Sequence, residues 1–278
     1  MIFNSPEHVR LLTHLSPYER FPDGRPRVPD ELLDRLKVVT NDEAWAIVSR
    51  DHGYRFQFAG DWAVHLQPER VLVGRAVTAV FVPLRPDLNA AVDAHGQTEG
   101  RVGRHNSWVI ETLQRGDVLV VDLFGKIRDG TFIGGNLATA VRARTGTGII
   151  IEGGIRDLAQ VRELADFSVY ARGVDPSAIA DVTLTGVNVP IRVGGATVLP
   201  GDVVLGTRSG VTFIAPHLVR ALVEHSEDVR ERDVWGTRML ADGTYRPAQI
   251  DVRVWTAEIE ATYQASRTRG AARKEGGS

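Results

Sequence analysis

Arg156 and Asp157 stand side by side where a short apolar run ends, and Gly134 and Gly135 precede the helix-like segment before that run. An arginine presents a planar fork matched to a carboxylate. An aspartate is a hard oxygen ligand suited to magnesium or manganese. Paired glycines let the main chain approach a ligand closely, and the N–H groups at a helix start favour a negative charge. The stretch GGNLATAVRARTGTGIIIEGGIRD, residues 134–157, can therefore bring amides, a guanidinium and a carboxylate to one point. Such a point suits a small anion beside a divalent cation. Each part also has a plainer reading. The glycines make a tight turn into a helix capped by Asn136. Asp157 and Gln160 have the spacing of a capping box, so Asp157 closes its own helix. Arg156 makes a surface ion pair.

The elements that must position these residues are short strands closed by Gly, Pro or Asp. VLVGRAVTAVFVPL, GDVLVVDLFG, GTGIIIEGG, DFSVYARG, NVPIRVGGATVLPGDVVLG and GVTFIAP all have this form. Helices are expected at about Ser107–Leu113, at about Leu137–Arg144 and from Asp157 onward. The mixture of strands joined by helices and strands joined by turns predicts a mixed α/β or α+β sandwich rather than a uniform doubly wound sheet. Residues 1–70 read as an N-terminal extension, residues 71–220 as the core domain and residues 221–278 as a C-terminal helical extension. Within the first of these, SPYERFPDGRPRVPDE reads as an extended arm rather than core. DELLDRLKVVTNDEAWAIVSR reads as two helices, the second capped by Thr40 or Asn41. HLVRALVEHSEDVRERDVWGTRML reads as a long amphipathic helix. PAQIDVRVWTAEIEATYQASR reads as a turn and a helix, and the final RTRGAARKEGGS as a frayed end.

Composition narrows the function. A net charge of −2 sets up no field for nucleic acid or acidic membranes. The absence of cysteine excludes disulfides, thiolate nucleophiles and Cys-ligated zinc. The eight histidines show no paired metal-ligand spacing. The first residues lack the basic and long apolar regions of a secretory signal, and no apolar run is long enough to span a bilayer. A soluble cytoplasmic protein is expected.

The ordered series GDVLVVD, GGNLATA, GIIIEGGIRD, YARGVDP, VNVPIRVGGATVLPGD and SGVTFIAP resembles the RraA-like superfamily. That superfamily includes 4-hydroxy-4-methyl-2-oxoglutarate / 4-carboxy-4-hydroxy-2-oxoadipate aldolases. The resemblance implies a swivelling α/β/β/α sandwich that assembles as trimers or hexamers, with sites at subunit boundaries. It implies that Asp157 binds magnesium or manganese and that Arg156 contacts a pyruvyl group. The amides of Asn136 and Leu137, beside Gly134 and Gly135, would hold a substrate carboxylate. The implied activity is a class II, metal-dependent lyase acting on a small 2-oxo acid, by retro-aldol cleavage or oxaloacetate-type decarboxylation. The resemblance also includes RraA, an inhibitor that binds ribonuclease E, so a non-catalytic binding protein is the alternative.

Two departures from the aldolase pattern stand out. Gly135 replaces an acid that helps hold metal-bound water, and Thr207-Arg208-Ser209 replaces a later acidic run. Glu152 is the candidate substitute base. No Gly-rich loop for S-adenosylmethionine is present. Further residues to locate are His105, Asn106 and Trp108, with Asn106 or Ser107 capping a helix. Lys126, Arg172 and the aromatics Tyr54, Phe56 and Trp62 complete the set. A larger acid held partly by those aromatics is a further possibility.

Overall fold

The computed structural model describes residues 4–275. The chain divides into two compact units, Met1–Val223 and Glu224–Ser278. The first opens with helices α1 (Pro6–Leu12), α2 (Asp30–Leu36) and α3 (Asn41–Trp45), the last continuing as a π-helical turn, Ala46–Asp51. Thr40 caps α3 in a complete capping box with Glu43. Strands β1 (Phe58–Ala59), β2 (Val64–Leu66) and β3 (Leu72–Pro83) follow, then α4 (Pro86–Thr98) and α5 (His105–Glu111). The site-bearing run is β4 (Asp117–Asp122), β5 (Thr131–Ile133), α6 (Gly135–Thr145), β6 (Gly148–Ile155) and α7 (Leu158–Arg162). It leads to β7 (Ser168–Val174), β8 (Val182–Val187), β9 (Ile191–Val193), β10 (Ala196–Val198), β11 (Val203–Thr207) and β12 (Gly210–Ile214). Residues 1–70 thus lie in the first unit and give it two strands beyond the expected arm and helices.

Among the described residues, ten strands form one mixed sheet in the order β1-β12-β11-β3-β4-β6-β7-β2, with β5 on β6 and β8 on β3. The β3-β4-β6-β7 centre is parallel and the flanks are antiparallel. Strands buried on both faces read as unbroken apolar runs, which is why Val118–Val121 and Ile149–Ile151 are fully buried. Alternation assigns their side chains to two cores. Leu119, Val121, Ile149 and Ile151 pack with Trp108, Val109, Ala138 and Val141 from α5 and α6. Val118, Val120 and Ile150 share another cluster with Tyr170, Val193 and Phe213. The result is the expected mixed α/β architecture, with a central sheet and helices packed against it.

The arm is not peripheral, which corrects the sequence reading. Arg25 is fully buried and reaches Asp117 at the start of β4 through Nη1 to Oδ1 at 2.8 Å and Nη2 to Oδ2 at 3.3 Å. Its Nε donates to Asp23 at 2.7 Å, and its guanidinium lies 5.2 Å from the Phe21 ring centroid. Arg75 on β3 donates to the Val28 carbonyl and to the Asp30 carboxylate, fixing the arm's other end. Proline and glycine set the arm's path, but its charges are what anchor it.

The second unit contains the rest of α8 (Val219–Ala241), α9 (Pro247–Ile250) and α10 (Ala257–Glu275). Trp235, Trp255, Ile259 and Tyr263 form its buried cluster. The Arg232 guanidinium sits 3.9 Å from the Trp255 ring centroid and pairs with Glu260 at 2.8 Å. The tail expected to fray is helical as far as Glu275, and its last three residues lie outside the described ones. No helix among the described residues is long and apolar enough to cross a membrane.

Removing one partner of a buried ion pair strands the other. Arg25→Met is therefore expected to lower unfolding free energy by about 3–5 kcal/mol, and adding Asp117→Asn should recover part of the loss. Urea denaturation of the two variants measures both effects.

Candidate functional site

The apolar strand β6 ends at Ile155, and the chain then turns sharply through Asp157 into α7. Asp157 lies in the left-handed region at φ 53°, ψ 39°. That conformation is costly for most side chains and best tolerated by Asn and Asp. Asp157 makes no side-chain cap to its own helix. Its Oδ2 instead accepts the N–H of Gly135 at 3.1 Å, at the start of α6. The helix begins at Gly135, with Gly134 as its N-cap, so Asn136 belongs to the first turn and is not the cap. A carboxylate there is favoured by the dipole of α6 and satisfies one of the N–H groups a helix start leaves open.

Both glycines stand in close approach to neighbouring side chains, which would have to move aside for a Cβ. A Cβ on Gly134 would stand 2.3 Å from Asp157 Oδ2 and 2.9 Å from Arg156 Nε. A Cβ on Gly135 would stand 2.1 Å from Gln160 Oε1. The volume beside Gly135 is therefore filled by the Gln160 carboxamide, a neutral group from α7.

Gly134, Arg156, Asp157 and Gln160 line a cavity of 540 Å³. Gly134, Asn136 and Leu137 contribute the start of α6, while Arg156, Asp157 and Gln160 contribute the corner after β6. Another part of the wall is Arg104, Asn106, Thr131 and Ile179. The Arg156 Nε lies 3.9 Å from Asp157 Oδ2, and the two side chains are 41% and 43% exposed, so both are open to a ligand. Asn106 is buried and donates to the Phe132 carbonyl at 2.8 Å. Arg104 donates to the Ile179 carbonyl at 2.6 Å. Among the described lining residues the charged groups are two arginines and one aspartate. With the helix start, the cavity favours an anion.

The structure thus brings Gly134, Asn136, Leu137, Arg156 and Asp157 together, with Gly135 just behind them. It does not bring Glu152 there. Glu152 Oε2 accepts from Arg172 Nε at 2.9 Å and from the Gly194 N–H at 3.1 Å. Arg172 continues to the Gly60 carbonyl at 2.6 Å, its guanidinium 3.9 Å from the Trp62 ring centroid. Glu152 is tied into this network, outside the cavity lining. Lys126 is also elsewhere, donating to the Ala180 carbonyl at 2.8 Å. His105 pairs with Asp93 at 2.9 Å, and Trp108 is buried with its Nε1 on the Val102 carbonyl. Arg104, not Asn106 or Ser107, stands at the N-cap of α5. Tyr54, Phe56 and Trp62 are not in the cavity wall. Thr207 and Ser209, where an acidic run was looked for, are clasped by the Asn41 amide at 2.9 and 3.0 Å.

Gln160, Asn106 and Ser107 are neutral lining residues that sequence reading put in capping roles. Gln160 was visible only as the partner in a capping box that does not form. Asn106 looked like a helix cap because that is the common use of Asn before an apolar segment.

An uncharacterized protein of Methanocaldococcus jannaschii is 27% identical over 134 residues, 46% of this chain and 64% of that protein. The 4-hydroxy-4-methyl-2-oxoglutarate aldolase of Thermus thermophilus is 32% identical over 117 residues, 41% of this chain and 70% of that enzyme. The chain therefore spans just under two thirds of the first of these relatives. The solved structure of Streptomyces coelicolor RraAS2, an unusual member of the RNase ES inhibitor RraA protein family, is 26% identical with a TM-score of 0.64. The match covers 80% of this chain and all of that one. The model of the RraA-like family, Aldolase/RraA, matches residues 42–213. On its sequence and its fold, the chain belongs to the RraA-like family.

Proposed function

We propose that the cavity breaks a carbon–carbon bond in a small 2-oxo acid and leaves pyruvate as its enolate. One observation carries this reading: Arg156, Asp157 and the start of α6 line a single cavity. The naming of the Thermus thermophilus relative as an aldolase supports a lyase.

A divalent cation fits the residues present. Asp157 Oδ2 is engaged by Gly135, while Oδ1 accepts no hydrogen bond among the described residues. Those residues include no cluster of three His, Asp or Glu that could hold a metal ion. Asp157 would then be the one protein carboxylate, with water and substrate oxygens in the other positions, an arrangement suited to magnesium. Bound there, magnesium or manganese supplies Lewis-acid polarisation of the 2-oxo group.

The chain's own residues do the rest. First-turn N–H groups of α6, at Asn136 and Leu137, hold the substrate carboxylate. Arg156 donates to the carbonyl oxygen and strengthens that bond as negative charge develops. The bond between C3 and C4 breaks, and its electron pair enters the enolate. The departing fragment leaves as carbon dioxide, or as a carbonyl compound once water in the cavity has taken its hydroxyl proton. Solvent then protonates C3. Glu152, held by Arg172, is not the base for the hydroxyl. The same reading takes the protein as a cytoplasmic trimer or hexamer with a small carboxylic acid as ligand.

A second reading, a binding protein without catalysis, is favoured by the neutral Gln160 beside Gly135 and by the likeness to an RNase ES inhibitor relative. Calorimetry with magnesium and oxalate separates the two, since a silent titration selects the second.

With magnesium, the protein is expected to release pyruvate from 4-hydroxy-4-methyl-2-oxoglutarate or oxaloacetate. Arg156→Ala should lower kcat/KM by roughly 10²–10³, the usual loss for a group that stabilises an oxyanion. A coupled pyruvate assay reads this, and no pyruvate from either substrate with several metals rejects the lyase. Gly134→Ala should drive the Asp157 carboxylate aside. Oxalate affinity is then expected to fall at least about tenfold, or about 1.4 kcal/mol, with the thermal midpoint nearly unchanged.

A further inference from the structure

A second cavity, of 300 Å³, shares no lining residue with the first. Leu12, Leu15, Leu199, Ala215 and Pro216 make its walls largely apolar. Into it faces Asp202, only 2% exposed. Its Oδ2 accepts the Leu199 N–H at 2.8 Å, and its Oδ1 accepts no hydrogen bond among the described residues. Its main chain is independently fixed, with the N–H on the Leu199 carbonyl at 3.1 Å and the carbonyl on the Ala76 N–H at 2.8 Å. A carboxylate so placed lacks a partner for its charge.

The neighbouring groups define what could supply one. Tyr54 and His217 share a hydrogen bond at 3.3 Å, and their rings lie 6.2 Å apart. Gln57 spends its amide on the Thr197 and Phe213 carbonyls, and Thr13 spends its hydroxyl on the Val9 carbonyl. His14 Nδ1 lies 3.1 Å from the Leu11 carbonyl, and the Ser16 hydroxyl accepts the Tyr18 N–H. What remains is one open carboxylate oxygen, an aromatic face and largely apolar walls. An anion would meet Asp202 as a like charge, and a neutral alcohol would gain one hydrogen bond without a counter-charge. A cation gains both the charge-assisted bond and the aromatic face.

We propose that this cavity is a binding site for a small organic ammonium ion with an apolar body, its N–H groups donating to Asp202 Oδ1 and its cation lying against Tyr54. Burial pushes the Asp202 carboxyl up to about 7, as expected for an acid without its counter-ion. Burial, with His52 and His14 nearby, lowers the imidazole of His217, which disfavours a positive charge beside the cation. The volume is at the small end of ligand sites and suits an arylalkylamine.

Calorimetric titration of the full chain at pH 8 with phenethylamine, 2-phenylethanol and phenylacetate tests the assignment. The amine should bind saturably, at least about tenfold tighter than the alcohol, and the acid should not bind. Asp202→Asn keeps an acceptor for Leu199 but loses the charge, and should weaken amine binding by about tenfold or more. Leu15→Arg places a cation on a residue that is 58% exposed and should cause a similar loss without touching Asp202. Circular dichroism checks that both variants fold. The proposal is overturned by absence of saturable amine binding, by alcohol or acid binding as tight as the amine, or by unchanged amine affinity in folded Leu15→Arg.

Discussion

The hydrogen bond from the Gly135 N–H to Asp157 Oδ2 is the constraint on which the first cavity depends. It joins the start of α6 to the corner after β6, two places 22 residues apart in the chain. The bond forms because the two glycines carry no Cβ and because Asp157 accepts a left-handed conformation. Once formed, it points a helix start, a guanidinium and a carboxylate at the same cavity. Sites in layered α/β proteins gather at the carboxyl ends of parallel strands, where loops are free to carry polar groups. Here β6 supplies that end, and β4 and β7 flank it.

The fates of Glu152 and Asp157 show how strand geometry separates neighbouring acids. They are close in sequence, yet the register of β6 is irregular between Ile151 and Gly154. Glu152 projects toward Arg172 and the β9–β10 turn, while Asp157 reaches α6. A carboxylate bonded to a guanidinium and to a main-chain N–H is held as a structural anion. One left with an open oxygen at a helix start remains available to a ligand.

The central strands were legible because buried parallel strands leave unbroken β-branched runs. Punctuation by Gly and Asp marked the turns around Gly134 and Asp157. The small strands β5 and β8 and helix α4 were not legible. TFI is too short to show a period, VTLTGV is diluted by Thr and Gly, and the α4 stretch PDLNAAVDAHGQT is weakly apolar, with only Val92 and Gly96 buried. The arm's role was hidden for a different reason. Arg25 meets Asp117 across 92 residues of sequence, and no local pattern encodes a long-range ion pair. Gln160 was masked by a spacing that usually means capping. The same strands and turns place Asp202, but only coordinates show that one of its oxygens is left without a partner.

The sheet's two outermost members in the pairing order, β1 and β2, are joined by only residues 60–63. They contain two and three residues. Long, flat margins of unpaired N–H and C=O groups invite a strand from another molecule, and proteins blunt them by brevity and by covering. Here one short connection supplies both terminal pieces, and Arg172 pins it by donating to the Gly60 and Asp61 carbonyls. Arg172, watched in the sequence as a partner for an acid, thus also holds the connection between the two margins of the sheet in place.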